Sequence, residues 1–210
     1  YSATTGTQPV WDDAGNPIAS LHYTYYQKSG VKDYGKRPLL ISFNGGPGSA
    51  SVWMHLAYTG PNILNIDDEG YPVQPYGVKS NPYSVLDVAD IVYVNPVNTG
   101  YSRILENDKG ELPNKDKQKA LFFGVNADIK YLAEWINTFV TRNNRWLSPK
   151  FLIFNFKSCF DIHPFLKAIS SIQPTLIPSL FSIVLTKFPA AARLSCVPVS
   201  SHIKSSSNNL

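Results

Sequence analysis

The stretch that most constrains this chain is Ser42-Phe43-Asn44-Gly45-Gly46-Pro47-Gly48-Ser49-Ala50-Ser51, set between Pro38-Leu39-Leu40-Ile41 and Val52-Trp53-Met54-His55-Leu56. An apolar run that meets three glycines within four residues, then a Ser-initiated apolar segment, describes a backbone that leaves a sheet, turns tightly and enters a helix. Glycine amides have no Cβ in front of them. Consecutive N–H groups can therefore converge on one anionic oxygen, and the following helix N-terminus adds partial positive charge. That is the construction of an oxyanion hole. A Gly-Gly-Pro-Gly run also serves as a plain strand-to-helix turn, so the rest of the chain has to decide between the two.

The surrounding elements follow from periodicity. Trp11 to Pro17 reads as a turn, after which Ile18 to Tyr26 alternates and is rich enough in β-branched and aromatic residues for a strand. Ser29 to Lys36 is a polar loop. Pro38 to Phe43 is a continuous apolar run of the kind buried on both faces of a parallel sheet. Thr59-Gly60-Pro61 ends the helical segment, and Asp67 to Pro72 is a turn. Asn81-Pro82-Tyr83-Ser84 leads to a third strand, Ala89 to Asn95, closed by Pro96. A loop, Val97-Asn98-Thr99-Gly100-Tyr101-Ser102, comes next, and residues 106–119 are charged without apolar periodicity, so a surface loop is expected there. Val125, Ile129, Leu132, Ile136 and Phe139/Val140 recur at helical spacing, and Phe151-Leu152-Ile153 begins another strand. Strand, crossover helix and strand make a βαβ unit, hence an α/β fold with a parallel sheet.

Composition matters at one place, because it breaks there. Residues 1–153 hold all 13 glycines and 14 of the 15 acidic residues, balanced by 14 basic ones. Residues 154–210 hold no glycine, one acid (Asp161), five basic residues, both cysteines and eleven serines. The net charge of +4 therefore belongs to the last 57 residues, and no basic face accompanies it, so no nucleic-acid partner is expected. The run Leu176 to Leu185 is ten residues long with Pro178 inside it, too short to span a bilayer, so no membrane partner is expected either. Cys159 and Cys196 form no readable pattern. An opening at Tyr1, without a basic-then-apolar leader, suggests a start inside a longer chain.

Asn44-Gly45-Gly46-Pro47-Gly48, Asn81-Pro82-Tyr83-Ser84 and Pro96-x-x-x-Gly100-Tyr101-Ser102, in that order, resemble the serine carboxypeptidase family. The resemblance covers residues about 10–153. It implies the N-terminal half of an α/β-hydrolase-like, mostly parallel sheet with flanking helices over residues 1–153, and does not extend to residues 154–210. For intact relatives it implies removal of C-terminal residues from peptides through an acyl-enzyme, with peptide or protein C-termini as partners and neither cofactor nor metal. By that resemblance Gly46 N–H serves the oxyanion hole, while Asn44 and Gly45 bind the substrate carboxylate. It also suggests a secreted, periplasmic or vacuolar/lysosomal setting.

The resemblance predicts a nucleophile as well, and the sequence departs from it. In this fold Gly-x-Ser-x-Gly forms a strained elbow after the strand that Phe151 opens, in the family's version Gly-Glu-Ser-Tyr-Gly. The chain reads Phe154-Asn155-Phe156-Lys157-Ser158 instead, so Phe156 stands at the nucleophile position and no catalytic residue is identifiable. Ser158 lies two residues past that position with no glycine to support it, Asp161 and His163 make an Asp-x-His pair without a serine partner, His202 sits in a Ser-rich segment, and His22 and His55 read as ordinary strand and helix residues. Tyr58 and Asn155 replace two glutamates that share a proton in relatives, so an acidic optimum is not expected. Beyond Ile153 the expected structure is irregular or helical, in an unrelated tail read either as out-of-frame sequence or as disordered. The two rivals to hydrolysis are a non-catalytic fragment of the lineage and an acyltransferase on the same scaffold.

Overall fold

The computed structural model describes residues 1–44, 48–155 and 181–186. Strand β1 (Ser2–Trp11) pairs antiparallel with β2 (Pro17–Gln27). The turn between them closes on Asp12, whose carboxylate accepts the N–H groups of Ala14 (3.0 Å) and Asn16 (2.8 Å) while Gly15 takes φ +83°. Strand β1 is a Thr-rich edge strand, exposed along its first half, with Pro9 where an edge tolerates it. That polarity hides it from a reading based on apolar alternation.

Next come β3 (Leu39–Asn44), a single-turn π-helix (Met54–Thr59), a small antiparallel pair of β4 (Asn62–Leu64) and β5 (Val78–Ser80), and β6 (Asp90–Val94). Strand β7 (Arg103–Ile104), α1 (Lys115–Phe122), α2 (Val125–Arg142), β8 (Lys150–Asn155) and β9 (Phe181–Thr186) complete the described elements. The main sheet runs β1-β2-β6-β3-β8-β9, with β7 added to β2.

The half of the sheet centred on β3 is parallel, as expected, whereas β1, β2 and β7 join it antiparallel, so the sheet is mixed. Two further expectations are corrected. Within the tail, Phe181–Thr186 is neither irregular nor helical but a strand parallel to β8, paired from Lys150↔Phe181 to Asn155↔Thr186. The β-branched and aromatic content of Phe-Ser-Ile-Val-Leu-Thr suits a strand that fills the position next to β8. Part of the expected surface loop at 106–119 is the start of α1, whose cap Asn114 Oδ1 accepts from Lys117 N–H at 2.9 Å. Its polar composition leaves no apolar period to read.

The two faces of the sheet follow from strand alternation. Leu39, Ile41 and Phe43 of β3, Val92 and Val94 of β6 and Leu152 of β8 face α2, which buries Ile129, Leu132, Trp135, Ile136, Phe139 and Val140 against them. Trp135 stacks on Phe139 at 5.0 Å, and both take Tyr23 edge-on. Leu40, Ile91 and Tyr93 face the other way, toward Met54 of the π-helix. The π-turn is closed by Thr59 Oγ1, which donates to Met54 O at 2.9 Å.

Candidate active site

In an open α/β sheet, ligands bind beyond the carboxyl ends of the parallel strands. Asn44, the last residue of β3, and Asn155, the last of β8, are register partners at that edge. The segment expected to form the oxyanion hole therefore leaves the sheet directly beside the point where the elbow is expected. Gly45, Gly46 and Phe156 lie outside the described residues, as do Ser158, Asp161, His163 and His202.

What the described residues show is how the segment is anchored. Ser51, 2 % exposed, accepts Asn44 N–H on its Oγ at 3.0 Å and donates the same hydroxyl to Val94 O at 2.5 Å. One side chain thus ties the start of the glycine segment to the end of β6. Ser51 N–H in turn donates to Asn95 Oδ1 at 2.9 Å. Asn95 N–H donates to His22 O (2.9 Å), and Ser102 Oγ accepts His22 N–H and donates to Asn95 O, both at 2.8 Å. The Pro96–Ser102 loop is held in a turn by Thr99 N–H to Pro96 O and Ser102 N–H to Thr99 O. Gly100, at φ +51°, presses against Asn95 so closely that a Cβ there would stand 2.5 Å from Asn95 Nδ2. In the Asn-Pro-Tyr-Ser segment, Asn81 Nδ2 donates to Tyr58 O and Gly60 O, both at 2.8 Å, and fixes the end of the π-helix.

The glycine segment and the Pro96–Ser102 loop are therefore neighbours around the ends of β3 and β6, joined through Ser51 and Asn95, whereas Asn81 braces the end of the π-helix. Missing from the sequence reading were His22 and Asn95 as members of this network. His22 sits at an ordinary position in β2 and Asn95 directly follows β6, and the two lie 73 residues apart, so no local pattern marks them. His55, also read as an ordinary helix residue, bonds Tyr26 Oη through Nε2 at 2.6 Å and stacks on Tyr93 at 4.6 Å. Burial there, with His22 nearby, pushes its pKa down to about 4. Among the described residues no three His, Cys, Asp or Glu side chains gather as a metal site, and no helix is long and apolar enough to cross a membrane.

A family model described as serine carboxypeptidase matches residues 12–148, well over half of the chain. The chain belongs to the serine carboxypeptidase family. Among solved structures it is similar to Kex1(delta)p, a prohormone-processing carboxypeptidase from Saccharomyces cerevisiae, with a TM-score of 0.59 at 19% identity. That match covers 87% of this chain and 38% of Kex1(delta)p, so this chain spans well under half the length of that protein. A further match, to the peroxisomal alpha-beta-hydrolase Lpx1 of the same yeast, has a TM-score of 0.44 at 15% identity, covering 97% of this chain and 50% of the other. The family match and the likeness to Kex1(delta)p agree with the expected α/β-hydrolase-like fold.

Proposed function

We propose that this chain is a serine carboxypeptidase-like protein that keeps the recognition half of the site and lacks the catalytic half. The observation that carries this reading is positional: Asn155 ends β8 in register with Asn44, and the next residue in the sequence is Phe156. An aromatic ring at the elbow supplies no nucleophile, so an acyl-enzyme has nothing to form on. Around the neighbouring strand end, the anchoring of Asn44 by Ser51 supports a held recognition segment.

The ligand in this proposal is a peptide or protein C-terminus. Gly46 N–H takes the oxyanion position, and Asn44 with Gly45 takes the terminal carboxylate. Because Asn44 N–H already donates to Ser51 Oγ, the donor from Asn44 is its side-chain amide. The proposal includes a compartment outside the cytosol: secreted, periplasmic or vacuolar/lysosomal. The same elbow argues against acyl transfer, which needs the same nucleophile.

Amide chemical shifts of Asn44 and Gly45 test the recognition claim, read on addition of a short peptide with a free C-terminus and of its C-terminally amidated twin. Shifts from the free acid alone are expected. Equal shifts from both peptides would remove the carboxylate assignment.

A further inference from the structure

We propose that His22 is a positioning residue which, through Asn95, holds Ser51 and Asn44 in place only while its imidazole is neutral. The argument is one of donors and acceptors. A backbone N–H can only donate, so the Asn95 atom 2.9 Å from Ser51 N is the carbonyl oxygen Oδ1. The amide nitrogen Nδ2 must then point the other way, and it meets His22 Nδ1 at 3.1 Å. An NH2 group can only donate there, which makes Nδ1 the acceptor and leaves the ring proton on Nε2. His22 Nε2–H has its acceptor ready in Thr5 Oγ1 at 3.0 Å, and Thr5 Oγ1 donates onward to Tyr23 O at 3.1 Å. Every role in the series Ser51, Asn95, His22, Thr5, Tyr23 is thus fixed from one end, with no second arrangement that satisfies all five.

A proton on Nδ1 inverts one link. Imidazolium has two donors and no acceptor, so Nδ1–H faces Asn95 Nδ2–H head-on. If the Asn95 amide turns over to accept from His22, its Nδ2 then confronts Ser51 N–H. One bond of the series is lost in each case: Asn95 to His22 if the amide stays, which frees Asn95 from its brace, or Ser51 to Asn95 if it turns. Asn95 has little room to escape, because Gly100 packs against Nδ2 and Asn95 N–H and O are held by His22 and Ser102. The groups facing His22 from the neighbouring elements are Thr5 of β1, Asn95 and Tyr101 of the β6 end and its loop, the Tyr101 ring lying 5.3 Å away, and His55 of the π-helix through its charge. His55, an imidazole, supplies no negative charge. Burial alone lowers the pKa of His22, in the direction that favours the neutral ring.

That the anchored segment is an anion-binding one rests on the function proposed above. The relay itself does not, and its test is read on the anchor rather than on a ligand. In the full chain labelled with ¹⁵N, the expected findings are a neutral His22 with its proton on Nε2, and Ser51 and Asn44 amides whose shifts follow the titration of His22. Ser51 N–H should lose protection from exchange by about tenfold as the ring charges, the worth of roughly one hydrogen bond. Two variants separate this from a merely structural role. His22→Asn places an acceptor that does not titrate near Nδ1 and should leave the Ser51 shift flat with pH. Asn95→Asp accepts from Ser51 N–H and imidazolium alike, so it should raise the His22 pKa and reverse the loss of protection in acid. A neutral His22 protonated on Nδ1, or a Ser51 amide indifferent to the titration of His22 in the unmodified chain, would overturn the proposal even if both variants failed to fold.

Discussion

The two ends of the parallel strands are held by opposite kinds of chemistry. Where β3, β6 and β8 begin, Asp90 is fully buried and takes Arg37 Nε on Oδ1 at 2.8 Å and Arg145 on Oδ2 at 2.6 Å. Arg145, 1 % exposed, also donates to Tyr25 Oη, Ser148 Oγ and Arg37 O. Where the same strands end, the anchor consists of hydroxyls, amides and one imidazole, all neutral as arranged. A buried ion cluster locks because removal of either sign leaves an uncompensated charge. A neutral network holds less tightly, but a single proton inverts it. The buried ties at the start of the strands are charged; those joining Asn44, Ser51, Val94 and Asn95 at their ends are not.

This contrast is broken most severely at Asp90. Asp90→Ala leaves two guanidinium groups buried without a carboxylate and should cost about 3–5 kcal/mol, read as a fall in the urea midpoint. A change within about 0.5 kcal/mol would show that the lock is not a lock. At the other end Ser51→Ala removes an acceptor for Asn44 N–H and a donor for Val94 O, and should cost about 1–3 kcal/mol. Its sharper signature is at Asn44, whose amide should lose protection from exchange while that of Arg145 keeps it.

The smallest expected effect is that of pH on His55. Its folded pKa, about 4, lies below the ordinary 6.5, so in that window the unfolded state holds more protons than the folded one. Stability is therefore complete above about pH 6.5 and declines as pH falls toward 4. Since the ring is only partly shielded from water, the loss is on the order of 1–2 kcal/mol. His55→Phe keeps the stack on Tyr93 and should flatten this part of the pH profile. A profile unchanged by that substitution would show that His55 is not its source.

How much of this was legible in the sequence follows the same division. Strands β3, β6 and β8 are written as apolar runs and α2 as a 3.6-residue period, because each buries at least one face. Of the glycine segment, residues 45–47 lie outside the described residues. Strand β1 and helix α1 were not: their side chains are largely exposed, and pairing to β2 or capping by Asn114 decides their structure. The lock around Asp90 joins Arg37, Asp90 and Arg145 across 108 residues, and the relay joins Thr5, His22, Ser51 and Asn95 across four segments. Partnerships of that kind are set by sheet order, which a one-dimensional pattern does not contain. Strand β9 was missed for another reason: its run, with Pro178 just upstream, has no alternation to separate strand from helix.

The central claim is that recognition survives in the front of the chain while catalysis is absent after Ile153, and labelling by a fluorophosphonate, which marks only an activated serine, tests it directly. Three proteins are compared: the chain as it is, a graft that replaces Phe154–Ser158 alone with the family elbow Gly-Glu-Ser-Tyr-Gly, and a chimera that replaces everything from Phe154 with the second half of an active family member. The chain and the graft should remain unlabelled, since a serine without its acid and base is a weak nucleophile. The chimera should be labelled and should release C-terminal residues from peptides. Labelling of the unmodified chain, or a folded chimera that is neither labelled nor active, would contradict the account.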